Sequence, residues 1–306
     1  MEKDFSFGKL CLAALFVFGE SALYIPYTNA GNGVLVSLVI AALSGTLLYF
    51  FWYFSASRFF ELKKKSISLY VYCLVLSGAA VFVSGLTAFG FIKYLSKEIL
   101  IKSPRFFLVL ILAALVFFAV KCGEKALSKF SVLTFVFCVL CIIIMFAVSS
   151  RNFNKEYLSD AVKGSLGDIF GQGLTVFVKV FLDTAVFAAF SRFAFSGKGL
   201  KYDVWGIVIG SILIALCLIN GVLTFSLKTA TELKFAYSYS IGVISVGNLF
   251  TRMDGFTYFV FFFSCLVKTA ICGITLKLML NKMGVKRAGA TAGFITFGAI
   301  LLTYLI

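Results

Sequence analysis

Gly19-Glu20-Ser21-Ala22-Leu23-Tyr24-Ile25-Pro26 is the stretch whose reading decides the fold. It lies inside the first hydrophobic segment, directly after the apolar run from Cys11 to Phe18. A carboxylate, a cluster of small residues and a proline interrupt what is otherwise a continuous apolar helix. A charge at the bilayer centre costs roughly 2.5–3.5 kcal/mol on insertion scales. Broken backbone at that depth is tolerated only where it lies in protein or lines a cavity. The segment is therefore expected to face inward, with the other spans arranged around it. Two readings stay open: a midplane binding site built on a discontinuous helix, or a proline kink with Glu20 near the membrane surface.

The rest of the composition agrees with a membrane protein. Of 306 residues, 61% are hydrophobic and 13% charged, which excludes an ordinary soluble domain. The mean hydropathy is +1.03. Runs of about 20 apolar residues recur along the whole length, each enough to cross a hydrocarbon core of about 30 Å. One integral membrane domain over 1–306 is expected. The net charge of +15 does not call for nucleic acid, because basic residues of polytopic proteins collect in cytoplasmic loops. Most of the eight cysteines fall inside apolar runs, where they act as small hydrophobes. Cys138-Val-Leu-Cys141 lacks a second pair and any histidine, so no metal site is read from it. A cleaved signal peptide is not expected, since Glu2 and Asp4 flank Lys3 and Glu20 interrupts the first apolar run.

Nine spans are read, at roughly 8–28, 33–55, 69–92, 106–120, 130–148, 170–195, 204–226, 255–279 and 289–306. Lys and Arg set the orientation. With the amino terminus in the cytoplasm, the inner side holds Lys3, Lys9, Arg58, Lys63–Lys65 and the basic residues of the loops at 121–129, 196–203 and 281–288. The outer side holds fewer, in longer connections at 149–169 and 227–254, which are candidates for lids or amphipathic surface segments. Within the spans stand Lys179, Lys268, Lys277, Glu20 and Asp183. Lys277 is close enough to the inner end to snorkel; the other four need partners.

Span six carries Gln172, Thr175, Lys179 and Asp183 on one narrow helical stripe. Lys179 and Asp183 are four residues apart, so their side chains are expected to meet. That pair is either an internal salt bridge or the polar wall of a substrate cavity. Span eight repeats the pattern with Thr257, Ser264, Lys268 and Thr275, within about 40° of one another. The chain has no histidine, only one deep aspartate and no Gly-rich nucleotide loop. No enzyme, catalytic residue, metal or cofactor is therefore expected.

Four stretches together resemble one family. Gly123-Glu124-Lys125-Ala126-Leu127-Ser128-Lys129-Phe130 is similar to the start of span five in spore-germination permeases, the B subunits of germinant receptors. Asn248 to Phe256, with Arg252-Met253-Asp254-Gly255-Phe256, resembles that family's signature before span eight, with Lys268 further along. Gly19 to Pro26 is similar to its broken first span, and Val180-Phe181-Leu182-Asp183 stands where the family has a turn in span six. Two features depart from the pattern: there is no glycine beside Asp183, and nine spans are read where the family has ten, so that either the last helix is absent or two spans are merged in the reading.

The resemblance, which runs from about residue 6 to 306, implies a LeuT-like inverted-repeat helical bundle of the amino acid–polyamine–organocation transporter superfamily. Repeat one would cover about 6–149 and a truncated repeat two about 169–306. A small amino acid would bind at the midplane between broken spans one and six, on Gly19, Glu20, Ser21, Ala22, Lys179 and Asp183. Ser264 and Lys268 would form an ion-site or coupling position, Lys268 acting as a built-in cation beside the unwound first span with Glu20 as counter-ion, or as a proton-coupling switch. The implied role is a nutrient sensor that works with germinant receptor A and C subunits in the spore inner membrane. A secondary amino acid permease and a vestigial membrane scaffold are the alternatives.

Overall fold

The computed structural model describes residues 2–21, 33–61, 66–98, 104–195, 199–233, 235–242 and 254–304. Ala22 and Pro26, Lys63–Lys65 and residues 248–253 of the stretch before span eight lie outside them. Every regular element among the described residues is helical. That is what a lipid environment dictates, because each backbone N–H and C=O must find its partner inside the segment.

The helices run in chain order as α1 (Glu2–Phe18), α2 (Val34–Glu61), α3 (Ile67–Glu98), α4 (Arg105–Cys122), α5 (Glu124–Ser149), α6 (Tyr157–Val162), α7 (Leu166–Val176), α8 (Thr184–Ala194), α9 (Leu200–Glu232), α10 (Ala236–Gly242), α11 (Asp254–Lys282) and α12 (Ala288–Leu302). A π-helical turn, Phe177–Phe181, joins α7 to α8, so Leu166–Ala194 crosses as one element. Seven elements among the described residues are long and apolar enough to span a membrane, and the apolar parts of α1 and α12 are shorter. The protein is an all-α polytopic membrane protein.

The centre of the bundle is α1. Residues Cys11 to Phe18 are each at most 1% exposed. A helix that is apolar on every side has no polar face to give to solvent, so it is buried all round. It packs most extensively against α9 and also touches α5, α8 and α11. By contrast α4 and α5 leave Phe107, Phe118, Leu133 and Leu140 more than half exposed, faces that suit acyl chains. The other close pairs are α11 with α3, α12 with α4, and α2 with α7 and α8.

Both long connections are partly structured. The one after α5 holds α6 and a start to α7 capped by Ser165, whose Oγ accepts from the Asp168 N–H at 3.2 Å. Before the other, α9 kinks at Ser226 (φ 65°), and the connection that follows contains α10. It turns inward rather than lying flat on a surface: Ala236, Tyr237, Ser238, Ser240 and Ile241 are all buried. Ser238 and Tyr94 share a hydrogen bond of 2.7 Å, and Ser240 donates to Asn220 at 3.1 Å.

The α1–α9 contact depends on glycine. A Cβ on Gly206 would lie against Ala13 Cβ and 2.5 Å from the Leu10 carbonyl oxygen, and one on Gly210 would lie 2.7 Å from the Ala14 carbonyl oxygen. This is the small-residue spacing that lets membrane helices approach backbone to backbone. Gly206→Ala and Gly210→Ala are expected to cost about 1–3 kcal/mol each through overpacking, read as a lowered Tm in detergent. Gly78→Ala, where nothing stands within 4 Å, should leave Tm unchanged.

Candidate functional site

The regular helix of α1 stops at Phe18, and its break falls at Gly19. Gly19 has φ +31°, a conformation that side chains other than glycine rarely adopt. A Cβ there would also sit 2.7 Å from Lys268 Cδ, so two separate constraints call for glycine. The Gly19 N–H still donates to Leu15 at 2.8 Å, but its carbonyl has left the helix and accepts instead from Ser264 Oγ at 3.1 Å.

Beside that break lies a three-member ion cluster. Lys268 Nζ stands 2.9 Å from Asp183 Oδ2 and 3.2 Å from Glu20 Oε1. Thr87, on α3, donates to the same Glu20 oxygen at 3.0 Å. Four segments distant in sequence therefore meet at one point. The Lys268 side chain is fully enclosed, while those of Glu20 and Asp183 keep 13% and 19% of their surface open. Lys268 is midway along α11, where a lone ammonium would find no water. The end of α1 assists it, because the last turn of a helix carries partial negative charge, and so does the Phe16 ring 5.6 Å from Nζ.

Among the described residues the cluster leaves two demands unmet. Two carboxylates share one ammonium. Among the described residues, Glu20 Oε2 and Ser21 Oγ are buried without a hydrogen-bond partner. Orphaned polar atoms in a native interior call for a ligand, a water or an ion. Two chains of aromatic contacts start from the last turn of α1. Phe16 meets Phe187 at 5.3 Å and Phe187 meets Tyr49 at 6.1 Å; from the other direction Phe18 stacks on Phe261 at 5.8 Å, and Phe261 meets both Tyr94 and Tyr237 at 6.1 Å.

Of the residues expected at the site, Glu20, Asp183, Ser264 and Lys268 come together, with Gly19 and Ser21 adjoining them; Ala22 lies outside the described residues. The stripe Thr257, Ser264, Lys268 and Thr275 faces inward, all four fully buried. The expected Lys179–Asp183 pair is not formed. Lys179 is exposed, and Asp183 turns to Lys268 instead. The cause is the π turn, in which Leu182 N–H donates to Phe177 O, five residues back, at 2.9 Å. One extra residue in the turn rotates everything beyond it by about 100°, so Asp183 leaves the face that Lys179 occupies. Span six is thus widened beside Asp183 without any glycine there.

A second buried ion cluster escaped the sequence reading. Lys9 Nζ lies 3.1 Å from Asp203 Oδ2, with the two side chains 1% and 0% exposed. Tyr49 donates to the same oxygen at 2.7 Å, and Ser191 at 2.5 Å. Lys9 therefore does not belong among the loop cations used for orientation; it is an interior residue that ties α1 to α2, α8 and α9. Lys277, in contrast, is half-buried with its ammonium beside Gly123 at the α4–α5 turn, as snorkelling requires. Among the described residues no group of three acids, cysteines or histidines could hold a metal ion. No protein-family model and no curated protein matches the chain.

The ion cluster has an energetic signature. Lys268→Met removes the shared cation from two carboxylates in the membrane interior and should cost about 3–5 kcal/mol. Neutralising the acids in the same chain, as Glu20→Gln/Asp183→Asn/Lys268→Met, should restore most of that loss in a denaturation series. Simple additivity of the three substitutions would show that the groups do not act as a unit.

Proposed function

We propose that this chain binds the ammonium group of a small amino acid at the break in its first span, and that it serves as the ligand-sensing membrane subunit of a germinant-receptor-type complex. The observation that carries the binding reading is the excess carboxylate beside Lys268, with Glu20 Oε2 and Ser21 Oγ left without partners among the described residues. Two acids and one lysine leave the interior one positive charge short, and a ligand ammonium supplies it. Glu20 Oε2 and the Ser21 hydroxyl accept from that ammonium. Asp183 holds Lys268 in place from the other side. Lys268 itself stands where a bound cation would otherwise bridge α11 to the exposed carbonyl of the broken span, so binding requires no sodium.

The finer parts of the proposal rest on the resemblance stated for the sequence. They are a LeuT-like inverted-repeat bundle of about nine spans, a cytoplasmic amino terminus, residence in the spore inner membrane, and assembly with A and C subunits. A permease that moves its amino acid across the membrane would use the same site, and uptake by proteoliposomes would separate it from a sensor. A scaffold with a vestigial pocket has one observation in its favour, the complete enclosure of Lys268 between its two acids.

The test is a thermal-shift screen of the purified protein against the common amino acids. At least one should raise Tm, equally in sodium and in choline buffers, by an amount equivalent to about 2.7 kcal/mol at one hundred times its Kd. Glu20→Gln should abolish the shift while the protein stays folded. A shift that needs sodium would overturn the built-in cation, and the absence of any shift would favour the scaffold.

A further inference from the structure

Away from the ion clusters, α3 ends, α4 begins and α12 ends around a cavity of about 200 Å³. Its wall carries Lys93, Lys97 and Arg105, together with Ser96, Thr303 and Tyr304, and no acidic side chain among the described residues. None of the three cations forms an ion pair among the described residues; Lys93 only lies over the Phe89 ring at 5.3 Å. Three like charges brought together from two helices repel one another, and the fold keeps them around one hollow. We infer that this cavity binds the phosphate of an anionic phospholipid headgroup.

The chemistry and the depth both favour that occupant. Arg105 offers a planar fork that matches two phosphate oxygens, and the lysines add point charges beside it. The cavity lies at the ends of membrane-spanning helices, the level of the headgroups. There Tyr304 meets Phe106 edge-on at 5.8 Å, and both rings are partly exposed, as in the aromatic belts of membrane interfaces. From Phe89 in the cavity wall, Leu86 and Phe82 follow on the same face of α3 at steps of three and four residues, 51% and 66% exposed. They continue the cavity into an apolar track on which acyl chains can lie. Basic pockets between membrane helices are a known way of holding anionic headgroups. Free phosphate shares the headgroup's chemistry but has no use for the track.

The experiment uses the full chain in a neutral detergent. Thermal unfolding is followed after adding phosphatidylglycerol, phosphatidylcholine or inorganic phosphate, and native mass spectrometry counts retained lipids. Phosphatidylglycerol should raise Tm above the phosphatidylcholine value and remain bound; inorganic phosphate should do neither. Lys93→Gln/Lys97→Gln/Arg105→Gln should lose the difference between the two lipids, whereas Lys125→Gln/Lys129→Gln should keep it. If the triple variant does not fold, Arg105→Gln alone should still reduce the retained phosphatidylglycerol. Equal responses to the two lipids, or an unchanged phosphatidylglycerol response in the triple or single variant, would overturn the inference. A phosphate response as large as that of phosphatidylglycerol would reassign the cavity to a free anion.

Discussion

A lysine ammonium in the middle of a membrane has to be answered by carboxylates, and the arrangement of this protein follows from how Lys268 is answered. Its two acids come from different spans, Glu20 from the first and Asp183 from the sixth, at 3.2 and 2.9 Å. Bringing Glu20 there requires α1 to stop at Gly19, and the freed carbonyl is then taken by Ser264, one turn from Lys268 on the same helix. Bringing Asp183 there requires the π turn at Phe177–Phe181. Thr87 completes the shell from α3. Each of these local departures from regular helix would cost stability alone. Together they keep the charges from facing lipid, where each would cost several kcal/mol.

The first span is also held at its other end. Lys9 and Glu20 are eleven residues apart, about 16 Å along a helix, and each belongs to a buried ion cluster. Between the two lie Phe16, Phe187 and Tyr49, with Phe187 in contact with both of the other rings, and the Tyr49 hydroxyl reaches Asp203. The aromatic layer thus touches both clusters: the Phe16 ring faces the Lys268 ammonium, and Tyr49 is a member of the Lys9–Asp203 group. A displacement of α1 at one cluster has a continuous packed route to the other. On the opposite side, Phe18 and Phe261 with the inward-turned α10 enclose the site against Tyr94 and Tyr237.

How much of this is legible without coordinates depends on the kind of signal. The inward face of α11 is legible because Thr257, Ser264, Lys268 and Thr275 repeat with the period of a regular helix, and α11 is regular over that range. The break at Gly19 is legible because glycine, a carboxylate and small residues concentrate there. The partner of Asp183 is not, since four residues from Lys179 means contact only while the helix keeps 3.6 residues per turn, and nothing in Phe177-Val-Lys-Val-Phe181 marks a π turn. The Lys9–Asp203 pair joins residues 194 positions apart, and Lys9 looks like one more cytoplasmic lysine. A signal did exist: Lys9, Phe16 and Glu20 follow one another at seven and four residues, a single face of a helix. Thr87 carried no signal, being one hydroxyl among many in apolar spans.

The central claim is that the unpartnered Glu20 oxygen at the break of span one receives the ammonium of the ligand. The direct measurement compares, by titration calorimetry, any amino acid that binds with two derivatives of it. The carboxamide keeps the ammonium and loses the negative end; the N-acetyl derivative loses the ammonium and keeps the carboxylate. The account predicts that the carboxamide retains binding and that the N-acetyl form has none. Binding of the N-acetyl form as tight as that of the parent amino acid would contradict it.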